Sequence, residues 1–206
     1  MADRVDSELQ AILDDIAAEA IERGATASAV ISSKHIQVKE ELAALCNGEY
    51  RCPNYGFAAG CPPHVGGPAA FRQWQAQSDF SISLKIEVPT SVMFSCERNS
   101  VMQLLHHVVA AVEQKAIEAG FTNSKGFAGG SCKELFCKDK IRCCVLAENK
   151  PCPHQEIARP SLSGFGIDAV ELMKTSGWSA PIADTSTLPE KDETSWVAGF
   201  ILLAPA

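Results

Sequence analysis

Thiols supply the chemistry that this sequence advertises. In GGSCKELFCKDKIRCCVLAENKPCPHQEIARPS, residues 129–161, Cys132, Cys137, Cys143 and Cys152 form one set with gaps of 4, 5 and 8 residues. Disulfides, structural zinc and an iron–sulfur cluster are the three explanations for so dense a loop. A second set, Cys46, Cys52 and Cys61, lies in CNGEYRCPNYGFAAGCPPHVGG, residues 46–67. Its gaps of 5 and 8 repeat those of Cys137, Cys143 and Cys152, and each set ends in Cys-Pro and runs on to a histidine, His64 or His154. Proline after a ligand cysteine also marks bacterial ferredoxin loops. Shifted by the same offset, Cys132 falls on Glu41, so the upstream set is one thiol short.

Soft thiolates select zinc, copper(I) or iron–sulfur clusters over hard cations. Structural zinc prefers knuckles of C-x2–4-C spacing, and only Cys132-x4-Cys137 qualifies. A cubane spreads its ligands and tolerates irregular gaps. The reading is therefore one or two [4Fe-4S] clusters, with zinc in an interaction module as the alternative. Four thiolates at Cys132, Cys137, Cys143 and Cys152 are a complete set, suited to electron relay. The neighbouring Cys144 is the rival of Cys143. Three thiolates at Cys46, Cys52 and Cys61 leave one iron open to a small molecule, with His64, Glu41 or water filling the place at rest. Tyr55 is a candidate proton donor. Arg159 is a candidate clamp for carboxylate or phosphate, or equally a brace that fixes its loop through backbone carbonyls. Lys133, Lys138, Lys140 and Arg142 form a solvated basic face or a docking surface for an acidic redox partner such as a ferredoxin. Whether the protein is an enzyme, an iron–sulfur oxidoreductase or lyase, or a carrier or sensor stays open.

These loops need elements to hold them. Residues 7–23 carry apolar side chains at helical spacing up to Gly24, and residues 26–32 read as a strand. Pro68 opens a short helix over 68–78. Phe80, Ile82, Leu84, Ile86 and Val88 alternate with polar residues, which predicts a strand with one buried face. Residues 99–119 are the clearest helix, with Met102, Leu105, Val109, Val112 and Ala116 on one side and Gly120 at its end. His106 and His107 point about 100° apart on that helix and do not share a small site. Cys96 stands alone and reads as packing. A short helix follows around 167–175, residues 178–194 read as an exposed loop, and WVAGFILLA reads as a central strand. The fold class is α/β: a mixed sheet with packed helices, carrying cysteine-rich loops at 46–67 and 129–161 within a single domain over 1–206.

Composition narrows the function. The chain has 206 residues, 46% of them hydrophobic, enough for a core without disulfide staples. A net charge of −7 disfavours nucleic acid. The start, MADRVDSELQ, has no secretory pattern, and no apolar run has the length of a membrane helix. Nine cysteines in a cytoplasmic protein point to metal or redox chemistry. There is no G-x-G-x-x-G and no P-loop. No sequence feature fixes the oligomeric state, for which a homodimer is the default.

CPNYGFAAGCPPH, GFAGGSCKELFC and CPHQEIARPSLSGFGIDAVELMKTSGW, with the terminal hydrophobic strand, resemble the predicted metal-binding proteins of domain of unknown function 2284. The resemblance covers most of the chain beyond the first helix. It implies a cytoplasmic, metal-binding protein of the iron–sulfur type, from lineages rich in anaerobes. Many members carry a tighter C-x2-C-x2-C run where this chain has Cys132-x4-Cys137-x5-Cys143, which leaves the exact ligands open.

Overall fold

A computed structural model describes residues 7–49, 51–179 and 193–206. In chain order the elements are α1 (Ser7–Glu22), β1 (Ala27–Ser32), α2 (Glu40–Ala44), α3 (Gly67–Gln75), β2 (Phe80–Pro89), α4 (Thr90–Met93), α5 (Arg98–Glu118), β3 (Lys125–Ala128), α6 (Cys132–Phe136), α7 (Cys144–Glu148), α8 (Ala169–Thr175) and β4 (Thr194–Leu203). The four strands form one sheet in the order β1-β2-β4-β3, every ladder antiparallel. This is the expected α/β class, and the terminal strand is central in the sheet. Most of the loop expected over 178–194 lies outside the described residues.

Alternation along the central strands explains why helices cover both faces. Val197, Ile201 and Leu203 of β4 join Ile82, Leu84 and Ile86 of β2 in a core closed by α1 and α5. Ala198, Phe200 and Leu202 point the other way, into an aromatic core with Phe71, Phe127 and Phe165. Phe127 and Phe200 stack there with centroids 4.9 Å apart, and Phe71 meets both edge-on. Such pairs add about 0.5–1.5 kcal/mol each beyond area burial.

The expectation of a single buried face on β2 is corrected. Ser81, Ser83 and Lys85 are buried as well. Ser81 Oγ bonds Ser33 Oγ at 2.8 Å, Ser83 Oγ bonds Ser176 Oγ, and Lys85 Nζ reaches Glu87 at 2.6 Å. Small hydroxyls satisfied by one another permit burial that polarity alone argues against. Strand β3 was not expected. Its four residues are too few to show a period, and its conformation comes from pairing with β4. Cys96 is exposed rather than packed.

Candidate metal centre

The sheet edge builds the centre. Where β3 ends, Gly129 N–H donates to Ala198 O at 3.1 Å, and Ala128 N–H donates to Pro160 O at 3.1 Å. Ala128 also forms a parallel bridge with Ser161. The chain therefore leaves the sheet at residue 129 and returns beside its own exit, so the downstream thiol loop is a closed excursion. Ser161 N–H then donates to Gly60 O at 3.0 Å, which ties the upstream loop to the same base.

His106 locks this base from beneath. Its ring is 0% exposed on α5. Nδ1 accepts from Arg159 N–H at 3.0 Å, so the ring is neutral and its Nε2–H faces Gly129 O at 3.2 Å. One imidazole thus holds the outgoing and the returning strand of the loop. Burial lowers its pKa to about 4, the Gly129 bond opposes this, and the charges of Arg159 and His107 add to the depression. Arg159 is braced inward: Nε pairs with Glu113, and Nη1 donates to Gln155 O at 3.0 Å and Ala158 O at 3.1 Å. Glu113 in turn accepts from Gly126 N–H at 2.7 Å.

All nine cysteines are free thiols. Cys132, Cys137, Cys143, Cys144 and Cys152 line one cavity of about 420 Å³, with Phe136 and His154 among its walls. Those two rings face each other 5.6 Å apart. The Cys132 thiol is pushed up to about 12, first by burial and then by the thiols of Cys61, Cys152 and Cys143; a backbone hydrogen bond from Gly60 opposes the shift. Cys137 is raised by burial and then by Cys152, Cys143 and Cys144, with Lys133 pulling it down. Lys133 Nζ also fastens the loop, donating to Cys137 O at 3.0 Å and to Lys140 O. Cys144 Sγ–H points to Pro151 O at 3.8 Å.

Cys46, Cys52 and Cys61 line a second cavity of about 320 Å³. Burial raises the Cys46 thiol, with Cys52 adding to it. Burial also raises Cys61, where Ser131 opposes and Cys52 and Cys46 add. Cys61 Sγ lies 3.5 Å from Ser131 Oγ, and both residues are 6% exposed. Arg98, Tyr55 and the pair formed by Asn54 and Glu134, bonded at 2.9 Å, complete the polar wall. Ser131, Asn54, Glu134 and Arg98 had no signal in the sequence. Tyr55 lines this cavity, with the Arg51 guanidinium over its ring at 4.6 Å. His64 and Glu41 are exposed and stand outside it; His64 Nε2 lies 3.2 Å from Gly56 O.

The cavities adjoin. Cys61 is near enough across the wall between them to raise the Cys132 thiol. Gly60 fills that wall: a Cβ there would stand 3.3 Å from Pro160 Cα and 3.5 Å from the Cys132 sulfur. The first distance is tighter than usual packing and the second is an ordinary contact, so glycine eases the close approach of the loops. Among the described residues, no three His, Cys, Asp or Glu side chains converge on the position of one metal ion.

The repeated spacing has a backbone counterpart. Five-residue helix α2 precedes Cys46 as α6 precedes Cys137, within one residue of the 91-residue offset. Tyr55 N–H donates to Cys52 O at 3.0 Å, and its counterpart Leu146 N–H donates to Cys143 O at 3.1 Å. His64 N–H donates to Cys61 O at 3.0 Å, and Gln155 N–H to Cys152 O at 3.3 Å. The turns after the second and third thiols therefore close with the same bonds in both loops.

The chain belongs to the family of predicted metal-binding proteins designated DUF2284, whose model matches residues 29–203. No curated protein and no solved structure matches it. Among the described residues, no helix is long and apolar enough to cross a membrane.

Proposed function

We propose that this metal-binding protein holds two iron–sulfur clusters of the [4Fe-4S] type, side by side at the sheet edge. The observation that carries the reading is the pair of adjoining cavities, each walled by a loop with the same thiol gaps and the same turn hydrogen bonds. The donor chemistry fits. Thiols kept protonated by burial and by one another would give up their protons only to a cationic group that accepts several thiolates together. Thiols spread around cavity walls suit a polynuclear group better than a zinc ion, which gathers its sulfurs to about 2.3 Å.

Cys132, Cys137, Cys143 and Cys152 would hold the downstream cluster, and Cys46, Cys52 and Cys61 the upstream one. Cys144 is spent on Pro151 O, which favours Cys143 as the ligand. A fully thiolate-bound cluster supplies one-electron transfer, and one held by three thiolates also supplies a Lewis-acidic iron. The protein's own groups divide accordingly. Arg98, Tyr55 and the Asn54–Glu134 pair face the upstream cavity, where they would orient a small molecule. Lys133 fixes the downstream loop and tempers its charge. The five residues between Cys137 and Cys143 are all exposed, with Ile141 93% exposed among Lys138, Lys140 and Arg142. Asp139 pairs with Lys140 at 3.0 Å, so the apolar tip keeps a net basic surround which, on a chain of net charge −7, suits an acidic redox partner of the ferredoxin kind.

Iron, acid-labile sulfide and zinc per chain, measured on protein purified without oxygen, test the reading. About eight irons and as many sulfides are expected, falling to about four in Cys61→Ala. Four in the unaltered protein would leave a single cluster, and zinc without sulfide would overturn the redox reading.

A further inference from the structure

The upstream loop supplies three thiols, and the residue at the offset of Cys132 is Glu41, which is exposed and outside the cavity. A hydroxyl from another part of the chain lies in the same cavity. Ser131 precedes α6 in an extended conformation, with φ −113° and ψ 121°. Successive side chains of extended backbone leave on opposite sides. Cys132 accordingly enters the downstream cavity and Ser131 the upstream one, where it lies against Cys61. The start of α6 thus faces both cavities, with a thiol in one and a hydroxyl in the other.

We propose that Ser131 is the fourth donor of the upstream site, an oxygen beside Cys61 in the cavity that Cys46, Cys52 and Cys61 line. This rests on the two-cluster reading and specifies how the three-thiol set is completed. The serine hydroxyl is a harder and weaker partner for iron than a thiolate. With a cluster bound, a small thiol or carboxylic acid would take this place from Ser131, its own proton passing to the released Oγ. The downstream set, with four thiolates, has no such exchangeable place.

Ser131→Cys, Ser131→Ala and Ser163→Ala test this on the full chain purified without oxygen. Ser163 is an exposed hydroxyl bordering the same cavity and serves as the control. A cubane lacking a firm fourth ligand loses that iron on mild oxidation, and the three-iron product has its own electron paramagnetic resonance signal. Ferricyanide should produce the signal about tenfold faster in Ser131→Ala than in the unaltered chain, and about tenfold more slowly in Ser131→Cys. Ser163→Ala should match the unaltered chain. Mercaptoethanol, used as the thiolate probe, should perturb the spectrum of the unaltered protein and leave that of Ser131→Cys unchanged. Equal conversion rates in all four proteins, with about eight irons retained in each, would overturn the role of Ser131 while leaving both clusters in place. An iron count of about four that is insensitive to Cys61→Ala would instead remove the upstream cluster, and this proposal with it.

Discussion

Acid should erode the stability of the fold through His106, beginning below pH 6.5 and before most carboxylates titrate. The neutral ring accepts at Nδ1 from Arg159 N–H and faces Gly129 O with Nε2–H, so a second ring proton would set two donors against each other. Arg159 and His107 add positive charge nearby, and Glu113 is already engaged by Arg159. The folded pKa is lowered from 6.5 to about 4. Between those values the unfolded chain binds more protons than the folded one, so stability falls as pH drops below 6.5 and the loss is complete below about 4. The linkage relation gives a loss of about 2 kcal/mol at pH 5 and about 3 kcal/mol at pH 4.

Urea unfolding of the unaltered protein and of His106→Gln, at pH 7 and pH 5 without oxygen, isolates this contribution. Glutamine offers an acceptor and a donor but does not titrate in this range. Carboxylates and thiols common to both proteins cancel in the difference. The unaltered chain should lose about 2 kcal/mol more than the variant over this interval. Stability curves that run parallel to within about 0.5 kcal/mol would refute the claim that a neutral imidazole holds the loop base.

Three further outcomes are expected. Gly166→Ala should destabilise by more than the roughly 1–2 kcal/mol of a left-handed residue, because φ is +73° and the new Cβ would stand 2.4 Å from Lys39 O; thermal unfolding reads this. Asp168 Oδ1 accepts from Val170 N–H and Glu171 N–H, both at 3.1 Å, so Asp168→Ala should cost about 1 kcal/mol in a urea titration with the metal content unchanged. Cys143→Ser should lower the iron count and Cys144→Ser should leave it unchanged; the reverse result would exchange the ligand assignments.

What the sequence made legible follows from period and length. Helix α5 and strand β2 are long enough to show their periods, β4 reads from its unbroken apolar run, and the residues expected to face the core on α5 are all buried. The neighbours His106 and His107 separate as 3.6-residue geometry requires, one buried and one exposed. The polar face of β2 misled because burial of serine depends on partners 48 and 93 residues distant, Ser33 and Ser176. Arg159, readable as a clamp or as a brace, is engaged with its own loop through Gln155 and Ala158 and with α5 through Glu113.

The thiol gaps were legible as a repeat, yet the residues between them share almost nothing, and the physical reason lies in what each atom does. A repeated site needs cysteines at fixed intervals, turns that aim them, and backbone bonds that close the turns. The bonds that recur run from N–H groups to the carbonyls of the cysteines themselves, so they place no demand on the intervening side chains. Those side chains are free to serve the surroundings: Phe57 and Ile141 are exposed on their respective loops, while Ala58 is buried. Ser131, proposed as the fourth donor, escapes the repeat for the same reason: it caps α6, where the alternation of an extended chain, rather than any motif, decides that Ser131 and Cys132 face different cavities.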